Sequence, residues 1–317
     1  MESFESIVVI TDPTEPDSPA LLKARRLARR LHSKVELLLC DITRTVTEGA
    51  VAGSRTFADA EIESARASYQ TRLQVLSAPF IADRIDVTTR VEFGKPLSTV
   101  ILDRVKSVRP SLVIKDTHHH SLLRRTLLTN TDWHLIRDCQ APLLLVKAQP
   151  WGEELRISAA VDPGHPADQP AALDHALVDS AERLARGFGT ATQIVHCWSP
   201  INLIAMGAMG GLGGVIDGVQ MGVPPELIDA ERKLDAERLE HLARVHGIPR
   251  DRVHLRAGTA VDELPAYAAQ TRVDVLAMGA LARSGIDRVF IGHTAERLLE
   301  TLPCDVLVIK LPNQAQP

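Results

Sequence analysis

Two aspartates that each end a short apolar run are the first residues whose type and position suggest chemistry. Asp12 and Asp162 both precede a proline, in the segments SIVVITDPTEP and RISAAVDPGHP. A carboxylate at the end of a strand can accept hydrogen bonds from the hydroxyl or amino groups of a ligand. Asp-Pro is also a common turn former, so a purely structural role stays open for each aspartate.

A second group of candidate residues lies in a glycine-containing segment that leads into a helix in the second half of the chain. Gly279 and Gly292 bracket this segment, and His293 and Thr294 follow it. Glycines let backbone N–H groups approach phosphate oxygens, and the N-terminus of a helix supplies partial positive charge. Thr294 either donates its hydroxyl to a phosphate or caps the helix.

The elements that must position these residues occur twice along the chain. Each half contains five apolar strands that alternate with amphipathic helices, and the same offset of 163 residues separates Lys115 from Met278 and Lys147 from Lys310. This alternation predicts an α/β fold of two tandem, doubly wound, five-stranded parallel-sheet domains. The segment Gln149–Gly152, with its proline and glycine, is the predicted linker between domains at residues 1–149 and 153–317.

In such an open α/β sheet, ligands bind beyond the carboxyl ends of the strands where the strand order reverses. Here that point lies after strands one and four, where Asp162 and the glycine segment meet. The architecture, the aspartate after strand one and the glycine spacing resemble the universal stress protein family over nearly the whole chain. The tandem arrangement is similar to the two-domain members of that family. The resemblance implies the adenine nucleotide alpha hydrolase-like fold.

The family's nucleotide-binding members carry Gly-x-x-Gly, nine further residues and then Gly-Ser or Gly-Thr. The matching positions here are Gly279, Ala282 and Gly292, with nine residues from Arg283 to Ile291 between the last two. Alanine replaces the second glycine, and the hydroxyl comes one place late, after His293. The resemblance implies an ATP- or AMP-type ligand, with Mg or Mn, in a stress-response regulator. Its binding residues would be Asp162, near the adenine or ribose, and Gly279, Ala282, Arg283, Gly292, His293 and Thr294.

The first half departs further from this pattern. At the same offset, Asp116 replaces Gly279 and Thr129 replaces Gly292. A carboxylate at position 116 disfavours phosphate by like-charge repulsion, so we expect no ATP in the first domain.

Two other features support alternative hypotheses. The segment Ile201–Val223 is rich in methionine and glycine, and it would form a lid over its own domain or cover an apolar or acyl-containing ligand. A protein-interaction module without a nucleotide is the third possibility. His118, His119 and His120 are weak metal-ligand candidates by residue type. Three successive residues rarely direct their side chains at one ion, so a solvated loop or a partner contact is the favoured interpretation.

Composition and motifs exclude several classes of function. The net charge of −4 gives the chain no overall positive field that would favour nucleic acid or an anionic membrane surface. We expect a cytoplasmic protein, because no signal peptide and no apolar run of about 20 residues is evident. No catalytic motif emerges, so at most slow nucleotide hydrolysis is expected. The four cysteines lie at repeated strand and helix ends, which favours core positions over a disulfide framework.

The fifth predicted strands, Leu143–Lys147 and Asp305–Lys310, are strongly apolar and need cover. In a tandem chain the two halves can cover each other through these strands and form an intrachain pseudo-dimer. Homodimerisation of the whole chain is the alternative that the sequence leaves open.

Overall fold

The computed structural model describes residues 4–11, 18–41, 55–94, 96–120, 125–163, 168–199, 215–216, 219–220, 224–279 and 293–311. Strands and helices alternate along most of this length. The strands are β1 Ser6–Thr11, β2 Lys34–Asp41, β3 Val87–Phe93, β4 Leu112–Asp116, β5 His118–His120, β6 Arg125–Leu127, β7 Leu143–Val146, β8 Ile157–Ala160, β9 Thr192–Trp198, β10 Val215–Ile216, β11 Val219–Gln220, β12 Val253–Ala257, β13 Val275–Gly279 and β14 Asp305–Ile309. The helices are α1 Pro19–Leu31, α2 Arg55–Ala82, α3 Leu97–Val108, α4 Asn130–Asp138, α5 Asp168–Gly187, α6 Pro225–Val245, α7 Ala260–Thr271 and α8 His293–Thr301, with a short 3-10 helix at Arg250–Arg252.

Ten strands form one continuous sheet in the order β12-β9-β8-β13-β14-β7-β4-β1-β2-β3. Every neighbouring pair in this sheet is parallel except β7 with β14, which is antiparallel. Each half contributes five strands whose order reverses between its first and fourth strands, which are β1 and β4 or β8 and β13. The predicted fold class of two tandem doubly wound domains is therefore confirmed, and the two half-sheets join through their fifth strands.

Two lysines that follow the fifth strands cross this junction in matching ways. Nζ of Lys147 donates to the carbonyl oxygens of Leu299, at 3.0 Å, and Leu302, at the end of α8. Nζ of Lys310 donates to the carbonyl oxygen of Cys139 at 2.8 Å, just after α4. Burial lowers the pKa of both lysines to about 8. Each lysine thus donates to backbone carbonyl groups at the C-terminal end of a helix in the opposite half, where the helix itself provides no donor.

A buried ion pair adds a contact between the halves that has no counterpart at the repeated positions. Nζ of Lys23, on α1, lies 2.8 Å from Oδ2 of Asp305, and both side chains are at most 6% exposed. Nε1 of Trp151, in the linker, also donates to this carboxylate at 2.8 Å. Burial raises the pKa of Asp305 to about 6, although Lys23 acts in the opposite direction.

Local sequence signals account for the helix ends. The side chain of Ser18 caps α1, and Pro19 stands at its first position. Gly187 is the last residue of α5, and Gly189 adopts the left-handed conformation that ends many helices, with φ of 66°. A Cβ at Gly187 would lie 2.0 Å from Leu31 of α1, which explains why a glycine stands there.

The four cysteines are free thiols, three of them buried. Burial raises the pKa of Cys40, Cys197 and Cys304 to about 12, so these thiols are not poised for redox chemistry. Among the described residues, no helix combines the length and apolar character needed to cross a bilayer.

Candidate functional site

The carboxyl ends of β8 and β13 lie side by side at the point where the strand order of the second half reverses. Ala159 of β8 is opposite Ala277 of β13, so Gly279 and Asp162 emerge from the same edge of the sheet. This is the edge at which doubly wound sheets bind ligands. The structure therefore brings together the aspartate and the first glycine of the predicted site.

Asp162 has an exposed carboxylate, and its backbone is held in place by the side chain of Asp174. Its side chain is 53% exposed, while its backbone N–H donates to Oδ1 of Asp174 at 3.0 Å. Asp174 lies on α5 and is only 5% exposed. Burial raises the pKa of Asp174 to about 6, and the nearby Asp162 carboxylate acts in the same direction. Oδ2 of Asp174 is buried without a hydrogen-bond partner among the described residues.

A buried histidine extends this polar group towards the neighbouring strand. Nδ1 of His196, on β9, donates to the carbonyl oxygen of Val161 at 3.0 Å. The same nitrogen lies 3.9 Å from the Asp162 carboxylate, and Nε2 lies 3.8 Å from Oδ2 of Asp235 on α6. The carboxylates of Asp162, after β8, and Asp235, on α6, therefore both lie near His196, and carboxylate oxygens can accept hydrogen bonds from hydroxyl or amino groups.

Gly279 allows a close approach of helix α5 to the end of β13. A Cβ at this position would lie 2.5 Å from Cδ2 of Leu173, closer than real Cβ contacts. The absence of a side chain at position 279 therefore makes room for Leu173 of α5.

The first half closes the corresponding region with its own side chains. Oδ1 of Asp116, at the end of β4, accepts a hydrogen bond from the backbone N–H of Ala20 at 2.8 Å, in the first turn of α1. Thr129 and Asp132 form a reciprocal capping box at the start of α4. Oδ1 of Asp132 also lies 2.8 Å from Nζ of Lys115. Side chains thus occupy both helix N-termini that face this strand end.

The structure describes only some of the residues that the sequence predicts for the site. Asp12, Ala282, Arg283 and Gly292 lie outside the described residues. His293 and Thr294 form the first turn of α8. Within the methionine-rich segment 201–223, only residues 215–216 and 219–220 are described, as the antiparallel pair β10 and β11. His118–His120 form the short strand β5, paired with β6, where a loop was expected.

Three polar residues near the end of β8 were not predicted from the sequence, namely Asp174, His196 and Asp235. A usable signal was present for two of them. Asp174 follows Leu173 within the apolar stripe of α5, and His196 interrupts the apolar run of β9. A polar residue inside an apolar pattern indicates a buried polar group, which needs a partner or a ligand.

Comparison with known proteins identifies the family. The profile of the "Universal stress protein family" matches residues 3–147 and 155–310. Universal stress protein E of Escherichia coli K12 is 27% identical over 318 residues, covering 100% of this chain and 96% of that protein. The universal stress protein E homolog of Haemophilus influenzae is 24% identical and covers 97% of each chain.

Solved structures share the fold along almost the whole chain. A functionally unknown protein from Pseudomonas aeruginosa PAO1 has a TM-score of 0.68 at 23% identity, covering 98% of this chain and 94% of the other. A universal stress protein from Archaeoglobus fulgidus has a TM-score of 0.65 at 15% identity, covering 96% and 98%. With both halves matched by the family profile, the chain belongs to the universal stress protein family, in its tandem two-domain form.

Proposed function

We propose that the second half binds an adenine nucleotide of the ATP or AMP type, accompanied by Mg or Mn in the case of ATP, and that the chain acts as a stress-response regulator. The observation that carries the proposal is the polarity of the region around β8 and β13. Carboxylate oxygens from Asp162 and Asp174 lie at the end of β8, beside Gly279 at the end of the neighbouring strand β13, and α8 is the next helix along the chain.

This polarity suits a nucleotide better than a uniformly charged or apolar ligand. The ribose hydroxyls and the adenine amino group are hydrogen-bond donors, and carboxylate oxygens accept from them. The phosphates are anionic, and the N-terminus of a helix stabilises negative charge. Asp162 is then a ribose or adenine acceptor, and the residues from Gly279 to Thr294 surround the phosphates.

The contrast with the first half supports the same assignment. There, Thr129 and Asp132 supply the capping groups of α4. At the same offset, the sequence has Gly292 and Ala295, which carry no capping side chain. A phosphate would be a suitable acceptor for the backbone N–H groups at the start of α8.

Calorimetric titration of the full chain with ATP and magnesium, and separately with AMP, tests the proposal. We expect one nucleotide per chain and a rise in melting temperature with ligand. Asp162→Asn should weaken binding by about ten- to a hundredfold, because a hydrogen bond to a charged acceptor contributes about 1.5–3 kcal/mol. GTP serves as the test of base preference.

Asp12→Asn is the matched control, because it makes the same change at the repeated position of the first half. It should leave nucleotide affinity unchanged. Absence of heat and of any melting shift at millimolar ATP and AMP would refute the proposal. Equal loss of affinity in Asp12→Asn and Asp162→Asn would refute the assignment to the second half.

A further inference from the structure

Helix α5 carries a second polar cluster, further along the helix than Asp174 and separate from the nucleotide region. Asp179 and Glu182 are three residues apart, so they share one face of α5. His246 meets them from the residue that follows α6. One ligand atom from each of these three side chains lies within 4.8 Å of the others. We propose that Asp179, Glu182 and His246 form a binding site for a divalent transition-metal ion of the zinc type.

The separation of His246 and Asp179 fits a single ion. Nδ1 of His246 lies 3.5 Å from Oδ1 of Asp179. Two ligands of a tetrahedral zinc ion, each bound at about 2.0–2.1 Å, are about 3.4 Å apart. The histidine and the aspartate are therefore already separated as two ligands of one ion would be.

His175 holds the histidine ligand in the orientation that metal binding requires. Nδ1 of His175 lies 2.8 Å from Nε2 of His246, and the two ring centroids are 5.0 Å apart. A metal-bound histidine usually donates its second N–H to a fixed acceptor, which sets the tautomer and the ring orientation. With Nε2–H donated to His175, the lone pair of Nδ1 on His246 faces Asp179. The side chain of His246 is only 8% exposed, so this orientation is fixed by packing.

The ligand atoms themselves suit a cation. Two carboxylates and one imidazole face one another within 4.8 Å, and a divalent ion between them would relieve the repulsion between the two carboxylates. Arg183, which is also on α5, donates to the backbone carbonyl oxygen of Asp179 at 3.4 Å.

The ligand types indicate which metal would bind. One imidazole and two carboxylates suit zinc, nickel or cobalt, whereas magnesium and calcium prefer oxygen ligands alone. The side chain of Asp179 is 41% exposed, so solvent can supply a further ligand. The ion would join the middle of α5 to the end of α6 and would stabilise the second half.

The test is a titration of the metal-free full chain with zinc chloride, followed by calorimetry and by melting temperature. His118–His120 are replaced by alanine in the reference protein, so that these histidines cannot contribute. We expect one zinc ion per chain and a higher melting temperature with zinc. Asp179→Asn combined with Glu182→Gln keeps the shapes of both side chains and should weaken zinc binding by about a hundredfold or more.

The control is Glu226→Gln combined with Glu237→Gln, which makes the same charge change at exposed positions of α6. It should retain zinc binding. His175→Phe keeps a ring beside His246 but removes the acceptor, and it should weaken zinc by about tenfold. Circular dichroism confirms that each variant is folded.

Two results would overturn the proposal. One is the absence of zinc binding in the reference protein, and the other is unchanged affinity in the Asp179→Asn and Glu182→Gln double variant. Nucleotide affinity should be the same in that double variant as in the reference protein, so the zinc site and the nucleotide proposal succeed or fail independently.

Discussion

In the two halves, different elements supply the side chain that fills the space between the end of the fourth strand and the neighbouring helix. In the first half, the larger side chain is on the strand, where Asp116 reaches the backbone of Ala20 on α1. In the second half, the strand residue is Gly279 and the larger side chain is Leu173 on α5. The same space is thus filled once from the strand and once from the helix. Only the second arrangement leaves the strand without a carboxylate where a phosphate would approach.

The two halves also differ in the contacts that their buried carboxylates make. Asp132 is fully buried, accepts from the backbone and hydroxyl of Thr129, and lies 2.8 Å from Lys115. Asp174 accepts from one backbone N–H, and its second oxygen has no partner among the described residues. The buried carboxylate of the first half is thus neutralised by a lysine, and no such ion pair of Asp174 occurs among the described residues. The two copies therefore differ in how a buried carboxylate is compensated, as expected if only the second copy binds a ligand.

The largest expected effect tests the self-contained network of the first half. Asp132→Ala should lower the free energy of unfolding by about 3–5 kcal/mol, because it leaves the largely buried ammonium of Lys115 unpaired. Adding Lys115→Met installs the residue pair found at the repeated positions, Met278 and Ala295, and should recover much of the loss. Chemical denaturation of the single and double variants measures both effects. A double variant no more stable than Asp132→Ala would contradict the interpretation.

The second prediction concerns the contact between Gly279, at the end of β13, and Leu173 of α5. Gly279→Asp should cost about 1–3 kcal/mol, because the new Cβ would overlap Leu173. Combining it with Leu173→Ala removes the side chain that the new Cβ would overlap. The double variant should be more stable than the sum of the two single changes predicts, by about 0.5–3 kcal/mol. Strictly additive free energies of unfolding would show that the two residues do not compete for one space.

Much of this comparison could be predicted from the sequence. The constant offset of 163 residues aligned Asp116 with Gly279, and the alternation of strands and helices defined the sheet that places them at equivalent edges. These predictions succeed because apolar periodicity and short connections leave few topologies open. The role of Asp116 as an acceptor for Ala20 was not foreseen, since it depends on a helix 96 residues earlier in the chain.

The polar groups behind Asp162 could not be located from the sequence in the same way. Asp174, His196 and Asp235 come from three different elements, and their proximity depends on how α5 and α6 lie on the sheet. The cluster of His175, Asp179, Glu182 and His246 has the same origin. Helical spacing explains its three α5 members, but nothing in the sequence brings His246 to them. Side-chain networks between non-adjacent elements emerge only from packing.

The smallest expected effect concerns Asp174 and its dependence on pH. Its pKa is raised from 3.8 to about 6 in the folded chain, so folding favours the protonated form. The stability due to protonation is fully present below about pH 4 and is lost as the pH rises through about 6. Asp174→Asn, which remains neutral, should therefore match the unmodified chain near pH 4 and be more stable at pH 7.5, by at least about 1 kcal/mol.

Urea denaturation of both proteins at pH 4, 5, 6 and 7.5 measures this difference directly. The corresponding change in the first half, Asp132→Asn, is the control, and it should lower stability because it weakens the contact with Lys115. A difference for Asp174→Asn that does not vary with pH would show that Asp174 is already satisfied within the fold. The proposed difference in ligand binding between the two halves would then rest on Gly279 and the start of α8 alone.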